Sequence, residues 1–140
     1  MDLIVQLKQQ HIEILRFFES IKSDLFRGNV KDNYLIEDLR ELKDFLIGHL
    51  TLEDKMLYPA LEKSKSDEAR KIGKKFSTEM LGISKVAIKF FEEYLAMSLN
   101  DLLKSAKFKK DAGLIIVAVK KRVDVEENIL YPAYNKYCKK

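Results

Sequence analysis

The chain has 140 residues, 26 basic against 22 acidic side chains, a net charge of +4, and only 5 glycines and 2 prolines. That length suits one domain, residues 1–140, with a sizeable core, and a pool rich in Leu, Ile, Lys and Glu favours helix over sheet. The longest apolar run, Leu114 to Val119, is far short of the roughly 20 residues of a membrane span, and the lysines are dispersed among the acidic residues without a nucleic-acid motif, so neither partner is expected.

Apolar positions in the first segment recur at Leu3 or Ile4, Leu7, His11, Ile14, Phe18, Ile21 and Leu25. This 3-and-4 spacing puts them on one face of a helix, which should stop at Gly28-Asn29. Asp32 or Asn33 can cap the second helix, whose stripe is Leu35, Leu39, Leu42, Leu46, His49, Glu53, Met56 and Ala60. After a polar loop from Lys63 to Asp67, with Ser66 or Asp67 as cap, a third stripe runs through Ile72, Phe76, Met80, Ile83, Ala87, Phe90, Tyr94 and Met97 to about Ser98. The Lys-rich stretch from Asn100 to Lys110 should fray or turn, and Asp111 can cap a fourth helix with Ile115, Ala118 or Val119, Arg122, Glu126, Ile129 and Ala133. Both prolines, Pro59 and Pro132, fall inside apparent helices and read first as helix-end signals rather than as shapers of a site.

The start of the fourth segment, Leu-Ile-Ile-Val-Ala-Val, would also suit a buried strand, but an internal repeat decides for helix. HLTLEDKMLYPAL from His49 aligns without gaps on RVDVEENILYPAY from Arg122, so Glu53 matches Glu126 and Tyr58-Pro59-Ala60 matches Tyr131-Pro132-Ala133. The first and third stripes match less clearly. The chain reads as two duplicated helical hairpins, and short connections give an all-α, antiparallel up-down-up-down four-helix bundle. Counted from Gly28, His11 and His49 lie about 18 and 20 residues away, or roughly 27 and 30 Å along their helices, at one level. Met80 reaches that level from the third helix, and Arg122 and Glu126 share the layers of His49 and Glu53.

Four apolar stripes therefore converge on His11, His49, Glu53, Arg122 and Glu126. Polar groups at a bundle centre lose hydration and need a partner, a water or a metal. A lone inward histidine is ordinarily a satisfied core residue, whereas two histidines and two carboxylates at one level resemble a metal-ligand set.

On these residues the chain resembles the hemerythrin-like, or HHE cation-binding, family. The family pattern is a histidine on the first helix, His-x3-Glu on the second, a histidine on the third, and a second His-x3-Glu on the fourth before an apolar-aromatic-Pro sequence. His11, His49, Glu53 and MLYPAL fit the first half. Met80 and Arg122 stand where the other two histidines belong, while Glu126 keeps the carboxylate, with Glu127 as the alternative one position later. The di-iron centre implied by the resemblance is therefore not expected.

Two readings remain. In one, His11, His49, Glu53 and Glu126 hold a single divalent metal, iron first, for dioxygen or nitric oxide binding, redox sensing or iron handling. In the other, Arg122 pairs with Glu53 and Glu126, the histidines bond to those carboxylates, Met80 fills apolar space, and the bundle is a structural or interaction module whose protein partner stays open. An arginine about 5 Å from a divalent ion costs roughly 6–7 kcal/mol at an effective dielectric near 20, which favours the metal-free reading. Neither is enzymatic, for no activated nucleophile or cofactor fingerprint is present. The N-terminus has no signal-peptide pattern, and a single cysteine, Cys138, excludes an internal disulfide, so a cytoplasmic setting is expected.

Overall fold

The computed structural model describes residues 2–27 and 33–139, and among them no strand occurs. The first helix, α1, spans Leu3–Arg27. It is started by Asp2, whose Oδ1 accepts the Ile4 amide at 2.9 Å and the Val5 amide at 3.3 Å. The expected stop at Gly28-Asn29 and the cap at Asp32 lie outside the described residues. Helix α2 spans Leu35–Leu52. Asn33 accepts the Leu35 amide at 2.9 Å and donates to the Asp24 carbonyl at 3.1 Å, tying this start to α1.

Beyond α2 the same rod widens into a π-helical turn, Glu53–Leu57, and continues as α3, Tyr58–Glu62. Helix α4 spans Asp67–Tyr94 and is capped by Ser66, which accepts the Ala69 amide at 3.2 Å. It ends earlier than the expected Ser98, because Ser98 caps a short additional helix, α5, Leu99–Lys104. Ser105 then caps α6, Ala106–Val125, by accepting the Phe108 amide at 3.0 Å. Asp111 is therefore not the cap but lies inside α6, where its carboxylate accepts the Tyr94 hydroxyl. A second π-helical turn, Glu126–Leu130, leads into α7, Tyr131–Tyr137.

The two π-helical turns fall at repeat-equivalent places, each immediately before a Tyr-Pro pair. Proline has no N–H to donate and its ring crowds the carbonyl four residues back. The turn relaxes this by passing to bonds across five residues: the amides of Tyr58 and Tyr131 donate to the carbonyls of Glu53 and Glu126. Each turn takes up an extra residue and shifts the helical phase. Met56 and Ile129, expected in the stripes, are 55% and 49% exposed, and Leu57, Tyr58, Leu130 and Tyr131 are buried in their place. The prolines thus do not end their rods. They turn a tyrosine inward on each.

Upstream of these turns the stripes pack as their spacing demands. Ile4, Leu7, Ile14, Phe18 and Ile21 of α1 face Leu35, Leu39, Leu42 and Leu46 of α2, and Phe76, Phe90, Ile115 and Val119 close the core from the other hairpin. Each such side chain, fully buried, contributes about 1.5–3 kcal/mol. Numbers rising along one helix meet falling numbers on its neighbour. Across α1 and α2, Ser20 bonds Asp38 at 2.7 Å while His11 meets His49. Across α4 and α6, Lys107 bonds Glu93 at 2.7 Å while Arg122 reaches the Phe76 carbonyl at 2.8 Å. Where α4 crosses α3, Gly73 is required by contact, since a Cβ there would sit 2.8 Å from that of Leu61.

Candidate metal centre

The four rods bring His11, His49, Glu53, Arg122 and Glu126 together in a layer where none is more than 5% exposed. His11 and His49 face each other from α1 and α2 with their Nε2 atoms 3.1 Å apart. Glu126 Oε1 lies 2.9 Å from His11 Nε2 and 3.6 Å from His49 Nε2. These three residues can each direct one ligand atom so that all lie within 4.8 Å of one another. Glu53 approaches from the other side, with Oε1 3.5 Å from His49 Nε2.

The outward nitrogens define the state of the inward ones. His11 Nδ1 lies 2.7 Å from Glu127 Oε2 and His49 Nδ1 lies 2.8 Å from Gln10 Oε1, and both partners are acceptors. A neutral ring that donates from Nδ1 to these acceptors has Nε2 free as a metal ligand, whereas the 2.9 Å contact of His11 Nε2 with Glu126 Oε1 is a hydrogen bond only when that Nε2 carries a proton. Both inward nitrogens and a carboxylate oxygen converge on one spot. This is also the arrangement by which carboxylates and amides behind a metal's histidine ligands fix their tautomer. Glu127, the alternative ligand in sequence, is thus the acceptor behind His11, and Glu126 is the inward carboxylate.

The second hairpin closes its half of the layer differently. Arg122 Nε donates to Glu126 Oε2 at 3.0 Å, and one terminal nitrogen donates to the Phe76 carbonyl at 2.8 Å and the Tyr58 hydroxyl at 3.2 Å. Its guanidinium lies over the Phe76 ring, 4.7 Å from the centroid. The expected pairing with Glu126 is present, but the remaining bonds go to Tyr58 and Phe76 rather than to Glu53. Glu53 is held by Tyr131 instead. The Tyr131 hydroxyl donates to Glu53 Oε2 at 2.9 Å and lies 3.1 Å from His11 Nε2 and 3.2 Å from Glu126 Oε1. Glu53 Oε1, fully buried, has no hydrogen-bond partner among the described residues.

Burial and charge divide the two carboxylates. Burial, reinforced by the charge of Glu126, raises the Glu53 pKa well above the ordinary carboxylate value. Burial also pushes Glu126 upward, but hydrogen bonds from His11 and His49 outweigh it and hold Glu126 below that value. Burial lowers His49, and it works against the Arg122 charge too, although the neighbouring Glu126 keeps that guanidinium above its ordinary value. Burial together with both carboxylates raises the Tyr131 phenol. Glu126, paired with Arg122, is thus held low while Glu53 is raised.

His11, His49 and Glu126 could hold a metal ion, and with Glu53 Oε1 beside them the donors are nitrogen and oxygen. At the substituted positions Met80 offers only a thioether and Arg122 a cation. A cavity of about 20 Å³ beside the cluster, lined by His11, His49, Met80 and Arg122 among others, has room for about one water-sized molecule.

Tyr58, Tyr131 and Gln10 were not read from sequence as part of the site, and Phe76 was read only as an inward position of the third stripe. The tyrosines carried a signal, since the repeat aligns them, but a straight α-helix would turn the fifth residue after Glu53 or Glu126 away from the layer.

A helical bundle enclosing a buried His-His-Glu cluster defines a metal-binding class of all-α domain. The chain belongs to the hemerythrin family: the model of the hemerythrin HHE cation-binding domain matches residues 2–134. No curated protein and no solved structure matches it.

Proposed function

We propose that this domain holds one divalent transition metal, iron first, through His11, His49, Glu126 and Glu53, and serves as a non-enzymatic metal-binding or sensing domain. The carrying observation is the convergence of two Nε2 atoms 3.1 Å apart, with an acceptor oxygen behind each Nδ1. Two lone pairs so close repel unless a cation or a proton stands between them. The orphaned Glu53 oxygen gives the same signal from the opposite side. A bound ion would supply Lewis acidity and, for iron, one-electron chemistry. The chain's own contribution is to fix the imidazoles through Gln10 and Glu127, hold Glu53 through Tyr131 and exclude water.

The test is metal analysis of protein purified after growth with iron. About one equivalent per chain is expected, with a melting temperature that falls on chelation. Less than about a tenth of an equivalent of any transition metal, with a melting temperature indifferent to chelator, sinks the proposal. A specific observation supports the alternative, a metal-free interaction module. The Arg122–Glu126 pair, at 3.0 Å, already balances one buried carboxylate, and a proton on Nε2 of either histidine would relieve the lone-pair repulsion.

A further inference from the structure

Gln10 and Glu127 stand behind the histidines, and the fully buried Leu57, Leu130 and Tyr131 floor the layer where the rods pass their π-helical turns. Between α4 and α6 a surface groove of about 350 Å³ approaches it, with walls from Gly82, Val86, Ala118 and their neighbours that are apolar but for Glu79. The groove and the cavity beside the cluster share three lining residues, Ile83, Ala87 and Val119. Surface and cluster are thus divided by one ring of aliphatic side chains.

The groove wall is open at Gly82, where a Cβ would meet nothing within 4 Å, as is also the case at Gly48 and Gly113. At the inner end Met80 replaces a rigid ring with a flexible thioether able to swing aside.

We propose that the α4–α6 groove is the route by which a small uncharged, apolar molecule of diatomic size reaches the buried cluster, with Ile83, Ala87 and Val119 as its throat. An aliphatic throat imposes a desolvation penalty on ions and strongly polar solutes and none on apolar ones. The inner cavity of about 20 Å³ sets the size limit. The route takes its purpose from the metal site proposed above and rests on that reading for it, while its existence is measurable without metal.

Dioxygen dissolved under pressure is the probe, and its paramagnetic relaxation of methyl groups in the metal-free chain is the readout. Enhancement at Met80 and Val119 is expected to exceed that at Leu103 and Ile116, which are buried to a similar degree, by about threefold. Gly82→Phe, which projects into open space, and Ala87→Phe, which fills the throat, should each bring it down to the core level. Equal enhancement throughout the core, or enhancement that both variants leave unchanged, overturns the route. In iron-loaded protein the same variants should slow nitric oxide association about tenfold at unchanged iron content. An unchanged rate counts against the route, whereas failure to bind iron with the dioxygen result intact removes the metal reading alone.

Discussion

Arg122→Ala tests the second half of the layer. The side chain is 5% exposed and makes three hydrogen bonds: a charge-assisted one to Glu126, and one each to the Phe76 carbonyl and the Tyr58 hydroxyl. Truncation leaves Glu126 buried and ionised without its cation, and leaves two further groups short of a partner. Removing one member of a buried pair costs about 3–5 kcal/mol, and each orphaned neutral group about 1–3 kcal/mol unless water enters the space. Water admitted into the vacated volume offsets part of the second contribution, so about 3–5 kcal/mol is expected for the whole change. For a chain of this size that lowers the melting temperature by about 10–15 °C. The assay is thermal and urea unfolding in excess chelator, with Arg122→Lys as the companion. Lysine keeps the charge but cannot reach Glu126, Phe76 and Tyr58 with one planar fork, so it should lose less than alanine and more than nothing. A loss below about 1 kcal/mol for Arg122→Ala would refute the reasoning, because the buried Arg122–Glu126 pair would then contribute little to the fold.

The two glycines of α4 should respond oppositely to alanine: Gly82→Ala gains about 0.5–1 kcal/mol in urea unfolding, and Gly73→Ala loses about 1–3 kcal/mol because its new Cβ meets Leu61 at 2.8 Å. Because burial raises the Glu53 pKa, its proton stabilises the metal-free fold fully below the unfolded carboxylate value, and that stability is lost as pH rises through the folded value. Glu53→Gln should therefore flatten the alkaline side of the stability profile without metal while weakening metal binding, and loss of stability at every pH would contradict this. His49, lowered by burial, and Glu126, held low by the histidines, act in the opposite sense, destabilising the metal-free fold as pH falls below their unfolded values. Replacing Met80 and Arg122 together by histidine should raise the metal content from about one to about two equivalents, measured by elemental analysis, and an unchanged content would show that other residues limit the second position.

The helical rods, the inward histidines, the Glu126 carboxylate and its pairing with Arg122 were legible in the sequence, because each is a consequence of side-chain spacing. The phase change after Glu53 and Glu126 was not. A 3-and-4 stripe carries Met56 and Ile129 inward, and only the proline's conflict with the backbone carbonyl four residues earlier moves Leu57 and Leu130 there instead. The same shift delivers Tyr58 to Arg122 and Tyr131 to Glu53, contacts spanning 64 and 78 residues that no local pattern encodes. Gln10 was hidden for a different reason, and Glu127 was read only as an alternative ligand to Glu126. Each adjoins an inward residue, and the role of a polar side chain at such a position depends on the facing ring nitrogen, which the spacing does not place.

The duplicated frame makes Arg122 the counterpart of His49, and its bonds show what the exchange does to charge. A guanidinium fixed at Glu126 supplies one permanent positive charge where the family pattern would place a second metal ligand. A single divalent ion beside it would be balanced by the carboxylates of Glu53, Glu126 and Glu127, whereas two ions would leave the layer strongly positive in surroundings that solvate charge poorly. Without an ion the burial of Glu53 raises it toward its protonated form while Glu126, beside Arg122, is held low. On the proposed function, metal and proton would compete at Glu53, so metal affinity is expected to rise with pH through the Glu53 titration, and the Arg122 charge would weigh against a second ion.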